Sequence, residues 1–521
     1  MRMPQHLVGR DSVELHFKRS EASAASIFDG TASSRDARST RASVVGRWGS
    51  TESRPTSQNR ERASVLIIVL WVAFGLVSLA IYFANSSSLE LRAADNRVAA
   101  LESEQAIAGA ARYISNALAS VTEPGIPPDP ATLKVEAVQV GNARFWIIGQ
   151  PLDEEDDLEV TFGLVDEGAK LNLNTATAAI LAKLPRMTAA LAAAVVDWRD
   201  ADSDPSENGA EDEIYGRLNP PYRCKNAPFE SIEELRLVSG FTYDILYDED
   251  ANMNAILDQN ENDEDATLPN DNHDGVLNRG VLAYVTIHSK QSNMRTNGEV
   301  KVNVSTVDVN ALRTLMTDAG ISSQTVAQVL ARFPSGQGGG GQPGQPGGQQ
   351  GQPGGQPAQT AVTNNSVLQF YTRSGLKAEE FALIEGDITA STNSVVDGLV
   401  NINTASATVL ACLPGLDAEK ADALVATRSS ADTQNSITWL KDALEAQVAD
   451  QLGPFITGRS YVYSADIAAL GHHGRGYQRV KYIFDTTEGG AKIRQRQDLT
   501  HLGWALGQSV RQQITELQNA P

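Results

Sequence analysis

Cysteine is nearly absent. The 521-residue chain has two, Cys224 and Cys412, far apart in sequence, so a disulfide framework is not required and both are read as packing residues. Histidine is scarce at 7, and no Cys/His spacing suggests zinc. There is no serine-nucleophile elbow, P-loop or dinucleotide fingerprint, so no catalytic residue is assigned, and His472 and His473 read as residues of a Gly-rich turn. Positive charge is short as well: 43 Lys plus Arg against 64 Asp plus Glu give −21, the opposite of the footprint of a phosphate-binding protein.

The acid is unevenly spread. Residues 1–63 carry eleven Lys or Arg and seven Asp or Glu, a net of +4, which leaves −25 for the rest. This leader is rich in Ser, Arg and Ala without apolar periodicity and reads as disordered. Next comes "SVLIIVLWVAFGLVSLAIYFA", residues 64–84, 21 residues without a charge and long enough to span a bilayer as a helix. Arg54, Arg60 and Arg62 precede it, whereas Glu90, Arg92, Asp95 and Arg97 after it balance, so the N-terminus is expected in the cytoplasm and the rest outside it.

Helical spacing continues beyond the span to about residue 118, giving one helix about 50 residues long. After "TEPGIPPDP", the stretches "LKVEAVQV", "ARFWIIGQ" and "LEVTFGLVDE" alternate like strands of a small antiparallel sheet. Further strand-like pieces are "GVLAYVTIHS", "EVKVNVS", "RSYVYSADIAAL" and "YQRVKYIFDTT", with helical segments between them. The expected class is α+β: a long N-terminal transmembrane helix, an antiparallel sheet, and an inserted α-helical domain containing helix-hairpin-helix-like repeats.

The repeat is threefold. "NLNTATAAILAKLP" at 172–185 recurs as "NVSTVDVNALRTLM" from Asn303 and "NINTASATVLACLP" at 401–414. Thr175, Thr306 and Thr404 align, as do Leu181, Leu312 and Leu410, and then Leu184, Leu315 and Leu413. A second helix follows each, carrying Val196 with Arg199, Val329 with Arg332, and Val425 with Arg428. The Asn, Ser and Thr side chains at each start can cap a helix, and the Leu pair three apart lies on one face. Nucleic-acid-binding hairpins use a Gly-rich turn that lets backbone amides reach a phosphate. Here the turns read "PRMTAA", "TDAGISS" and "PGLDAEK"; only Gly415 follows the proline, and Asp417 and Glu419 stand where a phosphate would sit.

Asp250, Asn252, Asn254, Ile256, Asp258 and Glu261 fall at positions 1, 3, 5, 7, 9 and 12 of a calcium loop, with Leu257 as the apolar residue at 8 and Ala255 where Gly normally makes the turn. Calcium is the expected cofactor, because oxygen ligands at this spacing suit a hard cation. Asn270, Asn272, Asp274, Gly275 and Asn278 are spaced similarly, but Val281 occupies position 12. Asp200, Asp202, Asp204, Glu207, Glu211 and Asp212 make a further acidic cluster, for which a solvated loop and a second calcium site are equally compatible readings.

The basic leader, the helix starting "ASVLIIVLWV", its amphipathic continuation and the small sheet resemble a type IV pilin-like protein. Residues 197–242, "DWRDADSDPSENGAEDEIYGRLNPPYRCKNAPFESIEELRLVSGFT", with "NLNTA" and "NINTA", resemble the minor pseudopilin K family of the type II secretion system (general secretion pathway protein K). The resemblance implies a non-enzymatic single-pass inner-membrane protein with a periplasmic ectodomain. It also implies processing by prepilin peptidase, a place at the pseudopilus tip with minor pseudopilins I and J, contact with the inner-membrane secretion platform, and calcium in the acidic loops. Two departures stand out. Ala63 precedes the apolar run where the family has Gly, which puts the cleavage between Ala63 and Ser64, and Ile68 stands at mature position 5, where pilins carry Glu.

The segments read as 1–63 leader; 64–120 transmembrane and amphipathic helix; 121–170 first part of the sheet; 171–280 inserted helical domain with the first hairpin and the acidic loops; 281–334 strands and the second hairpin; 335–365 Gly/Gln/Pro linker; 366–450 third hairpin; and 451–521 C-terminal strands and tail. The competing functional readings are a membrane-anchored hairpin protein for DNA binding and uptake, which the charge opposes, and a calcium-dependent surface adhesin.

Overall fold

The computed structural model describes residues 58–151, 159–264, 266–333, 363–429 and 435–519. Most of the leader and almost the whole Gly/Gln/Pro linker lie outside the described residues. The chain divides into a unit ending at Ile81 and a unit from Tyr82 to Pro521.

One helix, Gln58–Ala119, runs without interruption, as its lack of proline and near lack of glycine predict. Ala63 and Ser64 fall near its start. Between Val65 and Phe83 its large apolar side chains are 50–76% exposed, a surface suited to lipid. It is the one helix among the described residues long and apolar enough to cross a membrane.

In the unit from Tyr82 onward, the sheet runs in the order Val138–Val140, Ala143–Ile148, Val462–Leu470, Gln478–Asp485, Lys492–Asp498, all antiparallel. Val165–Asp166 pairs with the start of the central strand, Tyr463 opposite Asp166. Alternate residues of the central strand serve two cores. Tyr463, Ala465, Ile467 and Ala469 face the helix residues Ala106, Ile107, Ala110, Ala111, Ile114 and Leu118. Ala468 and Leu470, with Trp146 and Ile148, pack under Ala505, Leu506 and Val510 of the C-terminal segment. Alanine on both sides of the first interface lets the helix approach closely. At Gly471 and Gly476 a β-carbon would stand 2.3 and 2.4 Å from the Ala99–Ala100 backbone, so the loop beyond the central strand also needs glycine there.

That loop holds the helix by charge as well. His472 meets Glu102 Oε2 through Nδ1 at 2.7 Å and Asp95 Oδ1 through Nε2 at 2.9 Å, and Arg475 also pairs with Asp95. His472 was read from sequence only as a turn residue.

Residues 167–461 separate the two halves of the sheet, a longer insertion than the expected 171–280. The strands expected at "GVLAYVTIHS" and "EVKVNVS" do not join the sheet. Val285–Thr286 pairs in parallel with Leu171–Asn172, and Val302–Asn303 with Ile388–Thr389. A third parallel pair joins Val400–Asn401 to Ile456–Thr457. Leu171–Asn172, Val302–Asn303 and Val400–Asn401 each precede two helices in sequence, so these short runs serve local closure instead of a ladder. Conversely, the edge strand Lys492–Asp498 was missed because "KIRQRQD" is almost entirely polar, the composition that keeps an exposed sheet edge from pairing with other chains. Cys224 and Cys412 are buried and free.

Candidate functional site

The 250–261 loop is built on side chains that accept from its own backbone. Asp250 accepts hydrogen bonds from the backbone N–H groups of Asn254 (2.9 Å) and Ala255 (3.1 Å). Asn252 Oδ1 accepts from Asn254 N, and Asn254 Oδ1 from Ile256 N, both at 2.9 Å. The side-chain oxygens are thereby gathered on the inside of the turn. Ala255 has φ of 60°, so it makes the left-handed turn that position 6 demands without glycine. Asp258 Oδ2 accepts from the amides of Asn252 (2.8 Å) and Asn254 (3.0 Å), and Glu261 Oε2 accepts from Asp258 N at 3.1 Å.

Glu261 is 1% exposed, yet its Oε1 has no hydrogen-bond partner. Burial, with the Asp250 and Asp258 carboxylates beside it, pushes its carboxyl up to about 9. An orphaned buried carboxylate oxygen in a loop rich in carboxylate and amide oxygens fits a hard cation. Among the described residues no group of three or more His, Cys, Asp or Glu side chains is arranged to hold a metal, so a cation here would need amide and main-chain oxygens as well.

The 270–278 loop repeats part of this pattern. Asn272 Oδ1 accepts from Asp274 N and Asp274 Oδ1 from Val276 N, both at 2.8 Å, and Gly275 has φ of 78°. Glu249 reaches this loop from outside it, accepting from Asn272 N (3.2 Å) and from Asn278 N (2.9 Å). Spacing could not reveal this, because Glu249 precedes the loop it closes.

In the third cluster, Asp200 Oδ1 and both oxygens of Glu211 are buried without a nitrogen or oxygen partner. Burial raises both carboxyls, and neighbouring acids add to it: Asp202 and Asp197 for Asp200, Asp197 and Asp200 for Glu211. Asp197, fully buried and accepting from Ser206 N at 3.2 Å, was missed because it reads as a residue of the preceding helix. Asp202, Asp204, Glu207 and Asp212 are exposed, and Asp212 is used to accept from Cys224 N at 2.8 Å.

The helical pairs are Ala178–Leu181 with Ala189–Arg199, Val309–Asp318 with Ser323–Arg332, and Ala407–Ala411 with Ala418–Ser429. The aligned threonines are not the caps. Thr177, Asp308 and Ser406, two residues later, cap the first helix of each pair. Thr404 instead donates to Asp166 Oδ2 at 2.5 Å, where Asn401 Nδ2 also donates at 3.0 Å. Each turn places one residue in the left-handed region, Arg186 (φ 57°), Gly320 (82°) and Gly415 (85°), so the first copy makes the same turn without glycine. Two residues on, Thr188 and Ser322 cap the second helix, and Asp417 accepts from Lys420 N. In each pair, one amide at the start of the second helix is therefore taken by the chain's own side chain. Arg199 and Arg428 point inward at loop carbonyls, whereas Arg332 reaches Arg373 O at 3.2 Å.

A sheet backed by helix residues 106–118 and split by helical pairs and acidic loops defines a mixed α+β protein with, among the described residues, one helix of membrane-spanning length. Two segments resemble a known family: residues 166–248 and 400–452 each match a family model described as type II secretion system (T2SS), protein K. They contain the first and third helical pairs and meet at Asp166; the middle pair lies outside both. On these segments the chain is similar to type II secretion system protein K. It is 51% identical over 55 residues to the protein of that name from Pectobacterium carotovorum subsp. carotovorum, covering 11% of this chain and 17% of the relative. It is 48% identical over 50 residues to that of Klebsiella pneumoniae, covering 10% and 15%. The aligned stretch thus spans about one sixth of those relatives. A solved GspK–GspI–GspJ complex from enterotoxigenic Escherichia coli aligns over 80% of this chain and 98% of its own, at 11% identity and a TM-score of 0.33.

Proposed function

We propose that this protein is a non-enzymatic minor pseudopilin of a type II secretion system, a component of the pseudopilus tip that supports export across the outer membrane. The observation that carries the reading is that the two segments matching protein K sit on paired helices inserted into a sheet packed on the chain's N-terminal helix. The helical pairs are read as copies of one helix-hairpin-helix-like unit used for packing. The N-terminus lies in the cytoplasm, the helix anchors the protein in the inner membrane, and the rest is periplasmic, on the arginine asymmetry around the span.

Prepilin peptidase cuts between Ala63 and Ser64. The partners are minor pseudopilins of the I and J type and the inner-membrane platform. Without Glu at mature position 5, Ile68 offers no charge to the amine of a following subunit, which suits a subunit with none stacked above it. Co-purification of the full chain from membranes tests the reading: I- and J-type partners are expected, and a monomer with none overturns it. Sequencing the mature N-terminus tests the cleavage, with Ser64 expected first.

Calcium is the proposed ligand of the 250–261 loop, held by Asp250, Asn252, Asn254, the Ile256 carbonyl, Asp258 and Glu261. Bound there it neutralises carboxylates that otherwise repel one another. The Asp200, Glu211 and Asp197 group, with its orphaned oxygens, is the second candidate. The DNA-uptake reading is disfavoured by self-capped turns and inward arginines; a salt-sensitive gel shift would revive it.

A further inference from the structure

The 250–261 loop touches more than itself. Arg479, on the strand Gln478–Asp485, is fully buried and is held by Asp466 of the adjacent strand, with Nε 2.9 Å from Oδ1 and Nη2 2.6 Å from Oδ2. Its remaining donors leave the sheet: Nη1 donates to Asn252 O and Nη2 to Met253 O at 2.8 Å. Thus a sheet cation is committed to two carbonyls inside the acidic loop. The loop in turn holds the C-terminal segment. Asn252 Nδ2, which donates to Asp258 Oδ2, also donates to Trp504 O at 3.2 Å. A β-carbon at Gly507 would stand 3.5 Å from Ile256 Cδ1, so Ile256 abuts the start of the helix Gly507–Asn519. That helix, with Trp504, Ala505 and Leu506, covers the sheet face formed by Trp146, Ile148, Ala468 and Leu470.

We propose that cation occupancy of the 250–261 loop controls how firmly the C-terminal segment 504–519 is seated on the sheet, with Asn252 and Arg479 as the positioning residues. The proposal rests on the calcium reading of that loop. Asn252 is at once a cation ligand by spacing, the donor to Trp504 and, through its carbonyl, an acceptor of Arg479. Fixing the loop with a cation therefore fixes both contacts together. Without the cation, the oxygens of Asp250, Asp258 and Glu261 lose their common partner, the loop loosens, and the contacts of Trp504 and Gly507 loosen with it. The apolar sheet face beneath then becomes transiently open, while the strands themselves, joined by their own ladders, stay closed.

The test is hydrogen exchange of the full chain in detergent, with calcium and with chelator, beside a calorimetric titration with calcium alone. Calcium is expected to bind and to slow exchange at 504–516 about tenfold or more, with little change in the strands 462–470 and 478–485. An Arg479→Lys variant is expected to bind calcium and lose that dependence; the wild-type comparison decides the matter if the variant does not fold. Binding without slower exchange overturns the coupling and leaves the calcium reading intact. No binding overturns the calcium reading and the coupling with it.

Discussion

Arg199 and Arg428 do the same thing at the same distance along the chain. Arg199 donates to the carbonyls of Leu173 and Ala176, and Arg428 to those of Ile402 and Ala405, separations of 26 and 23 residues in both. Each arginine ends the second helix of its pair by closing the loop that begins the first.

Replacing either with alanine removes two charge-assisted hydrogen bonds and leaves loop carbonyls without them. Arg428→Ala and Arg199→Ala are each expected to cost about 2–3 kcal/mol. Urea unfolding of the full chain measures it; a loss under about 0.5 kcal/mol would mean that the arginines are not latches.

Arg186 occupies a left-handed backbone position that glycine would fill with less strain, yet its side chain pairs with Asp248, which is 7% exposed. Burial pushes the Asp248 carboxyl up, and Arg186 pulls against it. Arg186→Gly is therefore expected to destabilise despite the easier turn, by about 1 kcal/mol, because a buried carboxylate loses its cation. Adding Asp248→Asn should recover most of the loss. A double-mutant cycle in which Arg186→Gly alone stabilises would show that backbone strain outweighs the pair.

His472 is raised above its ordinary value by hydrogen bonds to Glu102 and Asp95. A raised folded value means that the clamp's contribution is complete below the unfolded histidine value, about 6.5, and fades as pH rises through the higher folded one. Glu102 is lowered by its bonds from the His472 backbone and ring, and Asp95 by its bond to the ring, so their share is lost toward acid. Stability of the clamp should thus peak between about pH 5 and 6.5. NMR titration of the His472 ring should give a value above that of an exposed histidine. His472→Gln should remove the loss of stability between pH 6 and 8; an unchanged profile would rule the clamp out as its source.

Chelation should lower the melting temperature, because a metal bound only to the folded state stabilises it, by about 2.7 kcal/mol at a hundredfold excess over Kd. Glu261→Gln should reduce that response while Asp204→Asn, at an exposed position, should hardly change it. Equal responses in both variants would assign the effect to another acidic loop.

Much of this protein was legible in one dimension. The N-terminal helix, its apolar span, the helical pairs and the 250–261 loop rest on contacts between near neighbours in sequence, and local periodicity and ligand spacing record those directly. Distant contacts were not recorded. Strand character at 285–286 and 302–303 was visible, but their parallel partners near 171 and 388 were not, so they read as pieces of the sheet. Glu249 closes the loop that follows it, Asp197 joins an acidic cluster from within a helix, and His472 grips a helix 370 residues away at Glu102. Sequence alone determined which segments are helical and where charge accumulates. Only the tertiary structure decided which buried carboxylate oxygens are left without partners, that the arginines face inward, and that Arg479 ties the acidic loop to the sheet, because each depends on chain segments that packing, not adjacency, brings together.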